Sequence, residues 1–153
     1  MAVEVSGIVL QRRVDWQDTD AAGHYHHSTV IRWVEAAEAE LLHSIGERNL
    51  FGRIPRVNYR VDYLARLWFG DTASIALSID TVGTTSMTYH FEITRIPASR
   101  STPPELAARG TLTIVHAPEG RSHPWPSHLA TALRALVEPP PRAAHPPLHT
   151  TTS

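Results

Sequence analysis

Apolar and polar residues along the chain follow two periods, one typical of a helix and one typical of extended strands. Beyond Val30, apolar residues recur every three or four positions with charged residues between them. This pattern predicts an amphipathic helix that Ser28 or Thr29 caps and Gly46 ends. The apolar positions on its predicted buried face are Ile31, Val34, Ala37, Leu41 and Ile45.

Alternation of apolar and polar residues elsewhere, loose in the first segment and regular in the next three, predicts strands. The predicted strands cover about residues 6–16, 57–63, 73–80, 87–94 and 106–116. Turn residues separate them, at Gly70-Asp71, Gly83 and Pro103-Pro104. In the second strand the face expected to be buried holds Val57, Tyr59, Val61 and Tyr63.

One long helix followed by antiparallel strands has to bury its apolar stripe against the sheet. We therefore predict an α+β fold, in which a five-stranded antiparallel sheet wraps around a long central helix. An uncovered edge strand predicts pairing with a second copy of the chain. A shorter helical pattern begins near Ser127, and the proline-rich residues 139–153 are expected to be disordered. Residues 1–138 are thus predicted to form one domain.

Composition narrows the functional classes. The 153 residues contain 42% hydrophobic and 19% charged residues, which is typical of a soluble globular protein. The absence of cysteine excludes disulfides and thiolate chemistry, and the absence of lysine excludes Schiff-base chemistry. A formal charge of -1 without a basic block argues against nucleic-acid binding. No apolar run is long enough to span a membrane and no signal peptide is recognisable, so a cytoplasmic location is predicted.

Candidate chemistry is concentrated directly before the long helix. The segment Trp16–Leu42 places two aspartates, a glycine-containing turn and three histidines ahead of the helical pattern. A carboxylate near a helix N-terminus can act as base or nucleophile, while free backbone N–H groups stabilise an oxyanion. Acyl transfer is the chemistry that needs both.

The segment Val14–His27, with the sequence VDWQDTDAAGHYHH, continues into Ile31–Glu35 on the predicted helix. Together they resemble the hotdog-fold thioesterases of the 4-hydroxybenzoyl-CoA thioesterase type and their Tol-Pal-associated relatives. The order of elements extends the resemblance to about residue 138. It implies hydrolysis of an acyl-CoA thioester with no metal and no other cofactor. An acyl-carrier-protein thioester is the rival substrate, and the uncovered edge strand predicts a homodimer or homotetramer.

The same resemblance implies roles for two residues. Asp20 would attack the thioester carbonyl or activate water, and the sequence leaves the anhydride and general-base routes open. His27 stands where the Tol-Pal-associated enzymes carry a histidine, and its backbone N–H stands where the family places the oxyanion donor. Asp18 is interpreted as a turn former.

Further residues are candidates for substrate binding. Gly23 is expected to permit a positive φ or the close approach of a ligand, and His24 and His26 are candidates for lining the acyl pocket. The segment Val82–Ser86 matches the place where 4-hydroxybenzoyl-CoA thioesterases hold nucleotide phosphates with basic residues, but it carries no charge here. Pantetheine or phosphate could still be bound there by backbone N–H groups and hydroxyls. The residues that offer them are Gly83, Thr85 and Ser86.

The sequence leaves several alternative functions open. The three histidines with Asp20 could bind zinc, although neighbouring histidines rarely converge on one ion. A hotdog dehydratase would use a histidine and an acid, for which His27 and Glu35 are available. A noncatalytic acyl-binding module is a third possibility. Glu35, Glu38 and Glu40 are otherwise interpreted as a solvated helix face or as partners of Arg32 and neighbouring arginines.

Overall fold

The computed structural model of the protein describes residues 7–25 and 27–137. His26 and the predicted disordered tail at 139–153 lie outside the described residues. The elements are β1 (Gly7–Arg13), a short 3₁₀ helix (Trp16–Asp18), α1 (Thr29–Ser44), β2 (Arg56–Tyr63), β3 (Thr72–Val82), β4 (Ser86–Ile96), β5 (Glu105–Val115) and α2 (Ser127–Ala135).

All five strands belong to one antiparallel sheet with the order β1-β3-β4-β5-β2. The three central strands have eleven residues each, and β3 and β4 alternate buried and more exposed positions over most of their length. This arrangement confirms the prediction of a five-stranded antiparallel sheet. Since β1 and β2 occupy the two edges of the described sheet, each has one bonded neighbour among the described strands.

Helix α1 contacts β1 and β3 through its apolar stripe. The buried residues of that stripe include Val30, Trp33, Val34, Ala37, Leu41 and Leu42. As predicted, Gly46 ends the helix: it has a φ of 81°, and the N–H of Glu47 donates to the carbonyl of Leu42 at 2.9 Å. At the other end Ser28 occupies the N-cap position without a side-chain capping bond. Within the described residues, no helix is both long and apolar enough to cross a bilayer.

The first strand is shorter than predicted: β1 ends at Arg13, and the next residue, Val14, bonds to the turn that precedes β3. The N–H of Val14 donates to the carbonyl of Asp71 at 2.8 Å, and its carbonyl accepts from Gly70 at 3.0 Å. The chain then turns into the 3₁₀ helix, where Trp16 is 71% exposed. The expectation that Trp16 continues the strand is therefore wrong.

The face of β2 that was predicted to be buried is open in the single chain. Val57 is 58% exposed and Tyr63 45% exposed, whereas Tyr59 stacks on Phe91 with ring centroids 6.1 Å apart. The alternation was recognised correctly, but β2 lies at the edge of the sheet, where the apolar stripe of α1 does not cover it. Position along the sheet, which periodicity does not reveal, decides burial here.

Gly110 allows β2 to lie close to β5. It pairs with Val61, and a Cβ atom at Gly110 would lie 1.9 Å from the carbonyl oxygen of Arg60 and 2.7 Å from the ring of Phe91. Such distances are far below van der Waals contact, so the position is restricted to glycine by packing.

Glu38 on α1 is fully buried, which corrects the interpretation of this helix face as solvated. Its carboxylate forms an ion pair with Arg56 at the start of β2, and Arg56 also lies 3.3 Å from a carboxylate oxygen of Glu35. Arg32 pairs with none of the helix glutamates and instead contacts Asp18. Charged side chains of α1 thus connect this helix to neighbouring segments through ion pairs.

Burial raises the pKa of Glu38 above its ordinary value of 4.5, although the nearby Arg56 opposes the shift. The folded state therefore holds this proton more tightly than the unfolded state. We expect the Glu38 contribution to the free energy of unfolding to be largest below pH 4.5. It should decrease as the pH rises through the raised pKa, by at most about 1.4 kcal/mol per pH unit.

Urea unfolding of the wild type and Glu38→Gln from about pH 4 to about pH 8 tests this expectation, because the amide cannot titrate. The loss of stability with rising pH should be smaller in Glu38→Gln. Glu40→Gln, which changes an exposed residue of the same helix, serves as the control and should follow the wild type. Parallel pH profiles for Glu38→Gln and the wild type would contradict the assignment.

Candidate active site

A cavity of about 390 Å³ lies where the loop before α1 meets the chain segment that follows β2. It is lined by Asp20, His24, Tyr25, His27, Tyr63, Leu64, Ala65 and Arg66. The lining thus combines a carboxylate, two imidazoles, two phenols, a guanidinium and two apolar side chains. Its volume is within the range of small-molecule sites.

The loop from Thr19 to Tyr25 fixes the backbone of Asp20. The N–H of Asp20 donates to the carbonyl of His24 at 2.9 Å, and its carbonyl accepts from Gly23 at 3.0 Å. One carboxylate oxygen also accepts the N–H of Ala22 at 2.8 Å. Asp20 is half-buried. The loop therefore holds the carboxylate at the cavity wall through local hydrogen bonds that aspartate forms readily.

Asp18 has a structural role in the turn, in agreement with its interpretation from the sequence. It is buried, its carboxylate accepts the N–H of Asp15 at 2.9 Å, and it pairs with Arg32 at 3.2 Å. Its carbonyl also accepts the hydroxyl of Thr29, the first residue of α1, at 3.1 Å. Asp18 thereby attaches the loop to the first turn of the helix, and it does not line the cavity.

Tyr25 joins the two walls of the cavity. Its N–H donates to the carbonyl of Leu67 at 2.7 Å, and its hydroxyl donates to the carbonyl of Ala65 at 3.2 Å. His24 forms an isolated bridge with Trp68, and their rings make an edge contact at 5.7 Å. The loop that carries Asp20 is therefore bonded to the segment that carries the opposite lining residues.

Tyr63, at the end of β2, contacts the residue next to the helix start. Its hydroxyl donates to the carbonyl of His27 at 2.8 Å. Burial raises the pKa of Tyr63 above 10.0, and burial together with the neighbouring Tyr63 raises the pKa of Tyr25 to about 12. Both phenols are consequently neutral at physiological pH and act as hydrogen-bond donors.

The structure brings together three of the residues predicted from the sequence. Asp20, His24 and His27 line the same cavity. Gly23 does not line it, but its φ of 85° agrees with the predicted turn. His26, a predicted binding residue, lies outside the described residues, and its role stays a prediction.

The predicted binding residues near the start of β4 are located elsewhere. Gly83 and Thr85 lie in the turn between β3 and β4, Ser86 begins β4, and none of the three lines the cavity. Backbone bonds attach this turn to a later segment: the carbonyl of Thr85 accepts from His116 at 2.7 Å, and that of Ser86 accepts from the indole of Trp125 at 3.1 Å. Their contribution to binding also stays a prediction.

Sequence reasoning singled out neither Leu64 and Ala65 nor three lining residues with polar groups, and all five reach the cavity only through the tertiary fold. Of these three, Tyr25 was quoted only as part of the motif, Tyr63 was assigned to the apolar face of a half-buried strand, and Arg66 was not considered. All three belong to segments that meet through the bonds of Tyr25. The alternation that placed Tyr63 at the end of β2 was the one available signal.

A metal site of the kind considered for the histidines is not formed by the described part of the chain. No three potential ligands among histidine, aspartate and glutamate come together there. Asp20, His24 and His27 line one cavity without meeting this condition. His26 lies outside these residues.

Comparison with known proteins identifies the family. The model of the thioesterase-like superfamily matches residues 14–133, a range that includes the cavity and the four strands β2 to β5. The chain belongs to this superfamily. Its fold is the hotdog fold of thioesterases, and the predicted enzyme class, a thioester hydrolase, is confirmed.

Several relatives share the fold or part of the sequence. A thioesterase from Thermus thermophilus in complex with coenzyme A and Zn is 23% identical, covers 88% of this chain and 97% of its own, and has a TM-score of 0.74. A 1,4-dihydroxy-2-naphthoyl-CoA thioesterase from Synechocystis is 24% identical, covers 86% and 98%, and has a TM-score of 0.71. A relative from Aquifex aeolicus that carries a provisional esterase name is 27% identical over 88 residues, 54% of this chain and 69% of its own.

The contact between Tyr63 and His27 can be tested by removing one oxygen atom. We expect Tyr63→Phe to reduce kcat for thioester hydrolysis by up to about tenfold, because one hydrogen bond of about 0.5–1.5 kcal/mol no longer fixes the chain beside the cavity. The aromatic ring remains, so the thermal midpoint should change little. Steady-state kinetics and a melting curve measure both quantities. An unchanged kcat would show that this bond does not position the site.

Proposed function

We propose that the chain hydrolyses acyl thioesters with Asp20 as base or nucleophile and the backbone N–H of His27 as oxyanion donor. The observation that carries this proposal is that Asp20 and His27 line one cavity directly ahead of α1. Both residues are held there by contacts of the chain itself, the first by its loop and the second by Tyr63.

Each of the two possible routes balances with these residues. If Asp20 attacks the carbonyl, a mixed anhydride forms, the thiolate leaves, and water then hydrolyses the anhydride. If Asp20 acts as base, it takes a proton from water, whose oxygen attacks the carbonyl before the thiolate leaves. Negative charge develops on the carbonyl oxygen in either case. The positive end of the α1 dipole and a backbone N–H stabilise it, and one such donor typically contributes about a hundred- to a thousandfold in rate.

Coenzyme A is the proposed carrier of the acyl group. The Thermus thermophilus relative is a complex with coenzyme A, and the Synechocystis relative is named for a CoA thioester. The aromatic side chains of Tyr25 and Tyr63 in the cavity wall suit an apolar or aromatic acyl group. Both observations support a CoA thioester with a compact acyl part.

An acyl-carrier-protein thioester is the second candidate. The observation that favours it is the absence of charged residues in Val82–Ser86, where the resembling enzymes hold nucleotide phosphates. A carrier protein presents its pantetheine arm without a nucleotide, so it does not need that electrostatic contact.

The proposal also includes the association of copies of the chain, the wrapping of the sheet around α1, the subtype of the enzyme and its location. The exposed apolar residues of β2, among them Val57 and Tyr59, support association of two copies along this edge, as a dimer or within a tetramer. The packing of α1 on β1 and β3 supports the expected wrapping of the sheet around this helix. The Tol-Pal-associated subtype and the cytoplasmic location remain predictions from the sequence.

Asp20→Asn tests the central assignment. The amide is isosteric and can still accept the N–H of Ala22, so the loop should keep its shape while the base or nucleophile is lost. We expect hydrolysis of benzoyl-CoA to fall by about a hundred- to ten-thousandfold at an unchanged thermal midpoint.

Asp80→Asn is the matched control, because Asp80 is exposed on β3 and does not line the cavity. It should keep wild-type kcat and KM. If Asp20→Asn hydrolyses the substrate as fast as the wild type does, the proposed role of Asp20 is wrong.

The identity of the carrier is tested with one acyl group on two carriers. We expect the wild type to hydrolyse benzoyl-CoA with a higher kcat/KM than a benzoyl-loaded acyl carrier protein, by about tenfold, which corresponds to about 1.4 kcal/mol from neutral hydrogen bonds to the nucleotide. A preference for the carrier protein would transfer the proposal to the second candidate.

A further inference from the structure

Arg66 places a permanent positive charge in the same cavity as Asp20. Among the described residues that line the cavity, it is the only arginine, and guanidinium remains protonated at any physiological pH. It follows the edge strand β2 by three positions and is exposed. A neutral acyl group gives such a charge no partner.

The backbone on both sides of Arg66 is firmly held. Ala65 donates its N–H to the carbonyl of Ala107 at 3.0 Å and accepts the hydroxyl of Tyr25, while Leu67 is fully buried and accepts the N–H of Tyr25 at 2.7 Å. The Cα of Arg66 is therefore fixed relative to the loop that carries Asp20. A backbone that is already fixed removes the entropic cost of ordering the loop when a ligand binds.

Three of the described arginines are engaged by acidic side chains, whereas Arg66, like several exposed arginines outside the cavity lining, is not. Arg32 pairs with Asp18, Arg56 with Glu35 and Glu38, and Arg95 with Asp71 and Glu105. No described carboxylate lies within ion-pairing distance of Arg66, and this includes Asp20 in the same cavity. The charge of Arg66 is thus available to a ligand, and the Asp20 carboxylate remains available as a base.

The size of the cavity indicates which part of a substrate the guanidinium meets. A sphere of 390 Å³ is about 9 Å across, which is enough for a ring-sized acyl group. The extended pantetheine arm places the nearest phosphate of coenzyme A about 15 Å from the thioester sulfur, estimated at about 3.5 Å for every three bonds. A residue that shares the cavity with Asp20 is therefore closer to the acyl group than to the phosphates.

We propose that Arg66 binds a carboxylate carried by the acyl group, so that the preferred substrates are thioesters whose acyl part bears a second, anionic carboxyl group. This inference rests on the proposed function. An anionic acyl group next to Asp20 would be repelled unless a cation offsets the charge, and Arg66 supplies it. The planar guanidinium can also bind a carboxylate through two parallel hydrogen bonds.

The test uses benzoyl and 4-carboxybenzoyl thioesters, each on coenzyme A and on N-acetylcysteamine, which has no phosphate. We expect Arg66→Gln to lower the ratio of kcat/KM for 4-carboxybenzoyl over benzoyl by about tenfold on both carriers, the low end for a charged hydrogen bond because the residue is exposed. Arg66→Lys should recover part of the ratio. Arg12→Gln, an exposed arginine on β1 outside the cavity lining, should leave the ratio unchanged.

Three outcomes would overturn the proposal. A loss confined to the two CoA thioesters would assign Arg66 to a phosphate, and an equal loss for all four substrates would assign it to the reaction itself. An unchanged ratio in Arg66→Gln would leave the guanidinium without a role in specificity.

A binding measurement separates this inference from the proposed function. Calorimetry with Asp20→Asn compares the Kd of the two N-acetylcysteamine thioesters without turnover. The 4-carboxybenzoyl compound should bind more tightly, and adding Arg66→Gln should remove about tenfold of that advantage. If the wild type hydrolyses none of the four thioesters, the proposed function fails, while the calorimetric comparison still decides whether Arg66 binds the carboxylate.

Discussion

The hydrogen bonds that Tyr25 makes to the segment after β2 are the contacts on which the site depends. Its N–H reaches the carbonyl of Leu67 and its hydroxyl that of Ala65, so that the loop carrying Asp20 and the wall carrying Arg66 form one unit. Because the acceptors are backbone carbonyls, the separation of the two walls is set by the main chain. Neither Asp20 nor Arg66 takes part through its side chain in the hydrogen bonds that hold the two walls together.

Buried and exposed charges have different tasks in this molecule. Asp18 and Glu38 are buried, and each pairs with an arginine that connects α1 to another segment. Removing such groups from water is costly, and only the paired arginine and local hydrogen bonds offset that cost. Asp20, two residues after Asp18, is instead half-buried beside a cavity. In the triplet Asp-Thr-Asp, the first carboxylate therefore fixes the loop and the second remains accessible to a ligand.

The sequence was sufficient where local rules govern the structure. Helical periodicity and Gly46 delimited α1. Asp20 became a candidate through the resemblance of its motif to that of hotdog thioesterases, and its catalytic role stays a prediction. The sequence was insufficient where distant segments meet. The exposure of Tyr59 depends on β2 being an edge strand, the burial of Glu38 depends on Arg56 arriving from another element, and the contact of Tyr63 with the helix start depends on the sheet order. Alternation predicts which residues share a face, but not which neighbour covers that face.

The absence of a side chain at Gly110 has a consequence for sequence variation. A single methyl group there would collide with the backbone at Arg60 and force β2 away from β5. The displacement would be carried along β2 to Tyr63 at its end, and through the hydroxyl of Tyr63 to the carbonyl of His27. Substitution of Gly110 is therefore disfavoured for two reasons, the pairing of β2 with β5 and the geometry of the cavity. This holds although Gly110 is remote in sequence from the loop and from the start of α1.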